Sequence, residues 1–145
     1  MKVYVDTNIL VAASVQDHPH HAPSFELVRR IKAGTLRGCI SSHGLAEFYS
    51  VLTRAPFSPR VHPAEAGRFL EENIVPYFEL VTLSATDYKA VLTASAKAGL
   101  IGGVVYDALH LRSAEKAGCD RIYTFNVKDF RTLASDDLHD KITVP

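Results

Sequence analysis

VYVDTNILVAA, residues 3–13, holds a single charged side chain, Asp6. Together with Lys2, the residues before it form a short, almost wholly apolar run, the pattern of a parallel strand covered on both faces. The residues after it set Ile9, Leu10 and Ala13 at helical spacing. A strand therefore passes straight into a helix through Asp-Thr-Asn, which is the opening of a βα unit.

The chain continues in that alternation. LRGCIS (36–41), FELVTL (78–83), DRIYTF (120–125) and KITV (141–144) read as further strands. SFELVRRIKAG (24–34) reads as a helix that starts at Ser24 or within 21–23 and closes at Gly34. SSHGLAEFYSVLTR (41–54) is helical, with Ser41 or Ser42 as its cap. Pro56, Pro59 and Pro63 mark a loop, and Pro63 opens the helix PAEAGRFLEENIV (63–75). Ser84 and Asp87 have the spacing of a capping box for a helix reaching Gly99. VVYDALHLRSAEKAG (104–118) is another helix, and a short one lies near FRTLAS (130–135). Strands and helices alternating throughout predict one domain over residues 1–145, a three-layer α/β/α sandwich on a central, mainly parallel sheet. Ligands in such sheets bind beyond the carboxyl ends of the strands, where strand order reverses. Asp6 stands at such an end.

Composition narrows the function classes. Lysine plus arginine number 16, as do aspartate plus glutamate, so the net charge is zero. No overall positive field draws in nucleic acid. Local charge separation has to serve instead: Arg29, Arg30, Lys32 and Arg37 lie in a stretch without an acid, as do Arg54 and Arg60. The first three also complement a helix C-terminus before Gly34. No apolar run approaches the roughly 18 residues of a membrane span. MKVYVD enters a strand directly, without a secretory h-region, which predicts a cytoplasmic protein. Cys39 and Cys119 lack zinc-site spacing and read as buried thiols of a reduced compartment.

The informative feature is the isolation of three acids. Asp6 is the only charge between Val3 and Gln16. Glu47 is the only Asp, Glu, Lys or Arg between Gly38 and Thr53, and Asp107 the only one between Ala98 and Leu111. Charged groups enter apolar surroundings when paired or bound to metal, and no nearby cation pairs these. Each also has a structural explanation. Asp6 can cap the first helix, and Asp107 can sit as a favourable anion in a first turn. Glu47 lies off the stripe of Leu45, Phe48, Tyr49 and Leu52 and can face water. Gathered together, three carboxylates would raise one another's pKa values, and a hard divalent cation would relieve this.

YVDTNIL, LAEFYSVLTR and VYDALHLRSAEKAGCDRIYTFNVKDF, in that order, resemble the motifs of PIN-domain ribonucleases, and more narrowly VapC-type toxins. The likeness spans nearly the whole chain. It implies a metal-dependent endoribonuclease that uses Mg²⁺, with Mn²⁺ as substitute, to activate water against an RNA phosphodiester, leaving a 5′-phosphate and a 3′-hydroxyl. It implies a homodimer and an antitoxin partner. Asp6, Glu47 and Asp107 match the acidic metal positions. Where many PIN domains carry a fourth acid, this chain has Asn126, with Asp129 three residues on. Asn126 can ligate through its amide oxygen, and Asp129 can supply the charge as a catalytic acid or lie exposed. Thr7, Asn8 and Thr124 match positions expected to orient the carboxylates.

His18, His20 and His21 read as a solvated loop cluster. His110, three residues after Asp107, reads as a packing or supporting residue rather than a ligand. Two other functions compete with this one. A phosphatase with an aspartyl nucleophile lacks its second aspartate, because Asn8 stands there. A catalytically silent PIN domain that binds RNA or a protein draws its support from Asn126.

Overall fold

The computed structural model describes residues 1–145. Five strands, β1 (Lys2–Val5), β2 (Arg37–Ser41), β3 (Phe78–Val81), β4 (Arg121–Tyr123) and β5 (Ile142–Thr143), form one sheet in the order β3-β2-β1-β4-β5. All four pairings are parallel. β1 is central, and the chain leaves it toward β2 on one side and returns through β4 on the other. This is the reversal point that leaves a crevice at the strands' carboxyl ends.

Side-chain alternation along β1 sorts the core into two halves. Val3 and Val5 face one layer with Ile9 and Leu10 of α1 (Thr7–Ser14), Leu27 and Ile31 of α2 (His21–Lys32), and Phe48 and Leu52 of α3 (Ser42–Arg54). Tyr4 faces the other layer with Leu111 and Ala114 of α6 (Val104–Lys116) and Phe130 of α7 (Val127–Leu133). α5 (Ala85–Lys97) packs on α6, and α8 (Asp136–His139) precedes β5. Covered on both faces, β1 is apolar from Val3 onward, as a central parallel strand should be.

The elements follow the sequence closely. α2 begins at His21 and ends before Gly34, whose φ of +74° suits the left-handed turn after a helix. Ser41 caps α3 by accepting the Gly44 N–H at 2.8 Å. The helix expected over 63–75 is α4 (Pro63–Phe69), capped by His62 and Glu65, which then widens to one π-helical turn at Leu70–Ile74. Ser84 and Asp87 form a reciprocal capping box at α5. Cys39 and Cys119 are buried free thiols, and no helix is long and apolar enough to cross a membrane.

Candidate metal centre

Asp6 is the single residue between β1 and α1. Its N–H continues the ladder by donating to the Tyr123 carbonyl at 2.9 Å, and its own carbonyl accepts the Ile9 N–H at 3.1 Å. The backbone therefore occupies the N-cap position, but the side chain makes no capping hydrogen bond. The carboxylate instead turns into the crevice, where Oδ2 accepts the Thr124 hydroxyl at 2.6 Å. Only 3% of the residue is exposed. Burial pushes its carboxyl above the ordinary value; the nearby His110 and the Thr124 hydrogen bond counteract this, while Glu47 adds to it.

Glu47 reaches the same crevice from α3 and is partly buried. Burial by itself would raise its carboxyl, but the hydrogen bond from His110 and the charges of His110 and His43 outweigh it, so the group lies below its ordinary value. An ionised Glu47 accepts, so His110 Nε2–H donates to Oε2 across 2.9 Å. His43, one turn before Glu47 on α3, lies 3.4 Å from the same oxygen. Burial, followed by repulsion from His110, holds its imidazole below the usual value despite the pull of Glu47.

His110 is the residue that ties these acids together. It is 1% exposed, and Nε2 also lies 3.7 Å from Asp6 Oδ1. Nδ1 is 2.7 Å from the Tyr4 hydroxyl, whose oxygen accepts the Ser41 N–H at 3.3 Å. Burial opposes the charged imidazole, yet Glu47, Asp6 and Asp107 together raise its pKa. Expected as a packing or supporting residue, His110 is buried among the acids and hydrogen-bonds Glu47. Asp6, Glu47 and His110 each offer one atom within 4.8 Å of the others.

Asp107 lies in the first turn of α6, half-buried. It is not one of the three closest groups, but it shares their field. Burial comes first, then the charges of Asp6, Asp129 and Glu47, and together they lift its carboxyl to about 6 against the pull of His110. Asp129 sits exposed in the first turn of α7. Asn126 is also exposed, at the start of that helix, with no side-chain capping bond. Its N–H donates to Thr124 Oγ1 at 3.0 Å. Asn8 donates to that oxygen at 3.4 Å and accepts the Phe125 N–H at 3.3 Å, bracing the β4–α7 turn against α1. Thr7 is buried, and its hydroxyl has no partner within the chain.

The donor chemistry fits a divalent cation. Asp6 and Asp107 both have raised pKa values, from burial first and then from the neighbouring acids, and a cation among them would relieve both. With Thr124 on Oδ2 and His110 on Glu47 Oε2, Asp6 Oδ1 and Glu47 Oε1 remain as hard ligand atoms. The sequence carried signals for the residues that single-residue reasoning left aside. Tyr4 and Asp6 are two apart in an extended segment and share a face. His43 and Glu47 are four apart on a helix.

The description PIN domain belongs to the family model that matches residues 3–135. Ribonuclease VapC27 of Mycobacterium tuberculosis is 34% identical over 105 residues, 72% of this chain and 71% of that protein. Ribonuclease VapC40 of the same organism is 31% identical over 113 residues, 78% of each chain. Among solved structures, M. tuberculosis VapC20, a sarcin-ricin loop cleaving toxin, superimposes with a TM-score of 0.69 at 18% identity, covering 94% of this chain and 98% of that one. VapBC2 from Rickettsia felis, bound to a DNA fragment from its promoter, gives 0.64 at 23%, with 100% and 99% covered. These two likenesses establish the fold.

Proposed function

The chain belongs to the PIN domain family, and from that premise we propose that it is a metal-dependent endoribonuclease, the toxin of a toxin–antitoxin pair acting in the cytoplasm. The observation that carries this reading is the cluster of Asp6, Glu47 and His110 within 4.8 Å beyond the end of β1, with Asp107 in its electrostatic field. The relatives named as ribonucleases support the activity.

Asp6, Glu47 and Asp107 would hold the ion, with Asp129 and Asn126 at the α7 edge of the site. A bound Mg²⁺, or Mn²⁺ in its place, supplies Lewis acidity toward the phosphodiester and eases deprotonation of the attacking water. Thr124 fixes one oxygen of Asp6 and leaves the other for the cation. His110, anchored on Tyr4, fixes Glu47. A free oxygen of Asp107 or Asp129 takes the proton of the attacking water. The partners of this reading are RNA, a second copy of the chain and an antitoxin protein, the last supported by likeness to the VapBC2 assembly. The alternative, a PIN fold that binds RNA or a protein without cutting, draws on Asn126 at the fourth position.

Purified protein free of antitoxin is expected to cut RNA with Mg²⁺ or Mn²⁺ and to stop in EDTA. Asp6→Asn should abolish cutting while the protein stays folded by circular dichroism, and Thr124→Val should lower it about 10- to 100-fold, the usual effect of losing a ligand-orienting partner. Equal cutting in EDTA overturns the metal mechanism. Metal binding without any cutting supports the silent alternative.

A further inference from the structure

Three rings lead outward from the acids to the surface. His110 is buried and stands edge-on to His43, with centroids 5.9 Å apart and planes at 65°. His43 lies nearly parallel to Tyr106, at 5.0 Å and 14°. Tyr106 ends the series with half its surface in water. His43 covers one face of the tyrosine ring. Gly103 flanks it, and a Cβ there would lie 4.0 Å from Tyr106 Cδ2, so no side chain from that position crowds the ring. The next residue in the chain is Asp107.

An aromatic ring stacked on a second ring, half-exposed and adjacent in sequence to a candidate metal-site carboxylate, has the form of a stacking platform for a base. The chain has no net positive charge with which to hold a polyanion, so base stacking adds to what its local cationic stretches supply. We propose that half-exposed Tyr106, backed by His43, stacks one unpaired nucleobase next to the scissile phosphate. The position of the cut would then be set from the stacked base. The proposal rests on the ribonuclease reading and adds a base subsite to it.

The test uses a short single-stranded RNA that the full-length protein binds, and analogues with one abasic site at each position along it. Stacking holds substrate and transition state alike, so Tyr106→Ala should raise KM about 5- to 100-fold with kcat little changed. Tyr106→Phe should restore at least half of that loss. One abasic position should impose the same penalty on the unmodified protein and none on Tyr106→Ala. A lowered kcat at unchanged KM, or an Ala penalty equal on every analogue, overturns the subsite. Binding of the same oligonucleotides in EDTA, followed by fluorescence anisotropy, separates the two readings. An unmodified protein that binds with this single-position base dependence but never cuts refutes the ribonuclease reading and keeps the platform. Binding indifferent to Tyr106→Ala refutes the platform whatever the cutting assay gives.

Discussion

A lone aspartate after a strand is ambiguous because the cap and the ligand occupy the same backbone position. At Asp6 the backbone is that of an N-cap, while the side chain bonds Thr124 instead of the first turn. Glu47 and Asp107 were ambiguous for a similar reason, since helical periodicity reports on the helix's own faces and not on what stands opposite. Asp107 gives the sharpest test at this scale. Its carboxyl lies near 6 in the ion-free fold against about 3.8 when unperturbed. A raised carboxyl means that the folded state binds the proton more tightly, so this residue's contribution to stability falls as pH rises from about 4 through about 6. The loss is about 1–2 kcal/mol after allowing for solvent around a half-exposed group. Without divalent ions, Asp107→Asn should therefore be more stable than the unmodified protein at pH 7.5, with the gap closing as pH falls and gone only below about pH 3.5, measured by urea unfolding.

At the scale of elements, helix ends do the positioning. Ser41 closes the first turn of α3 and also donates its N–H to Tyr4, so one short segment sets both Glu47 and the hydroxyl that anchors His110. On the layer's far side, Asp87 caps α5 and pairs with Arg112 and Lys116 of α6, at 2.9 and 2.7 Å. Lys116, the Ser84 N–H and Arg112 hold its carboxyl well below the usual range. A depressed carboxyl contributes stability that is complete above its unfolded value, near 3.9, and is lost as pH falls below it. Asp87→Asn should lower the melting temperature at pH 7, and the gap should narrow as pH drops below about 4. An unchanged gap at pH 3 would mean that the carboxylate's charge is not what joins α5 to α6. Close approach also matters here. A Cβ on Gly38 would come within 2.7 Å of Ile31 Cγ2 and 2.9 Å of Phe78, so Gly38→Ala should destabilise the β2–α2 contact by about 1–3 kcal/mol in the same unfolding assay.

Across the whole molecule, the parallel sheet brings together residues 63 to 118 positions apart. Asp6 meets Thr124 because β1 pairs with β4, and Glu47 meets His110 because α3 and α6 converge beyond the same strand ends. A cation that binds only this assembled site stabilises the fold as a whole. Mn²⁺ at about a hundred times its dissociation constant should add about 2.7 kcal/mol to unfolding. Differential scanning calorimetry should show the shift in the unmodified protein and its absence in Asp6→Asn; an equal shift in both would place the ion elsewhere.

Much of this was legible in the order of residues. Apolar runs of strand length alternating with capped helices determined the α/β layering, because burial on both faces and 3.6-residue periodicity leave local marks. Three solitary acids marked the candidate site, because an unpaired charge in an apolar stretch requires a reason. Tertiary structure alone decided who stands beside whom. It set His110 between Glu47 and Asp6, put Tyr4 behind it, kept Asp107 half a step outside the closest group, and left Asn126 and Asp129 exposed at the rim. Those facts depend on helices meeting across a sheet, and local pattern carries no record of distance between elements far apart in the chain.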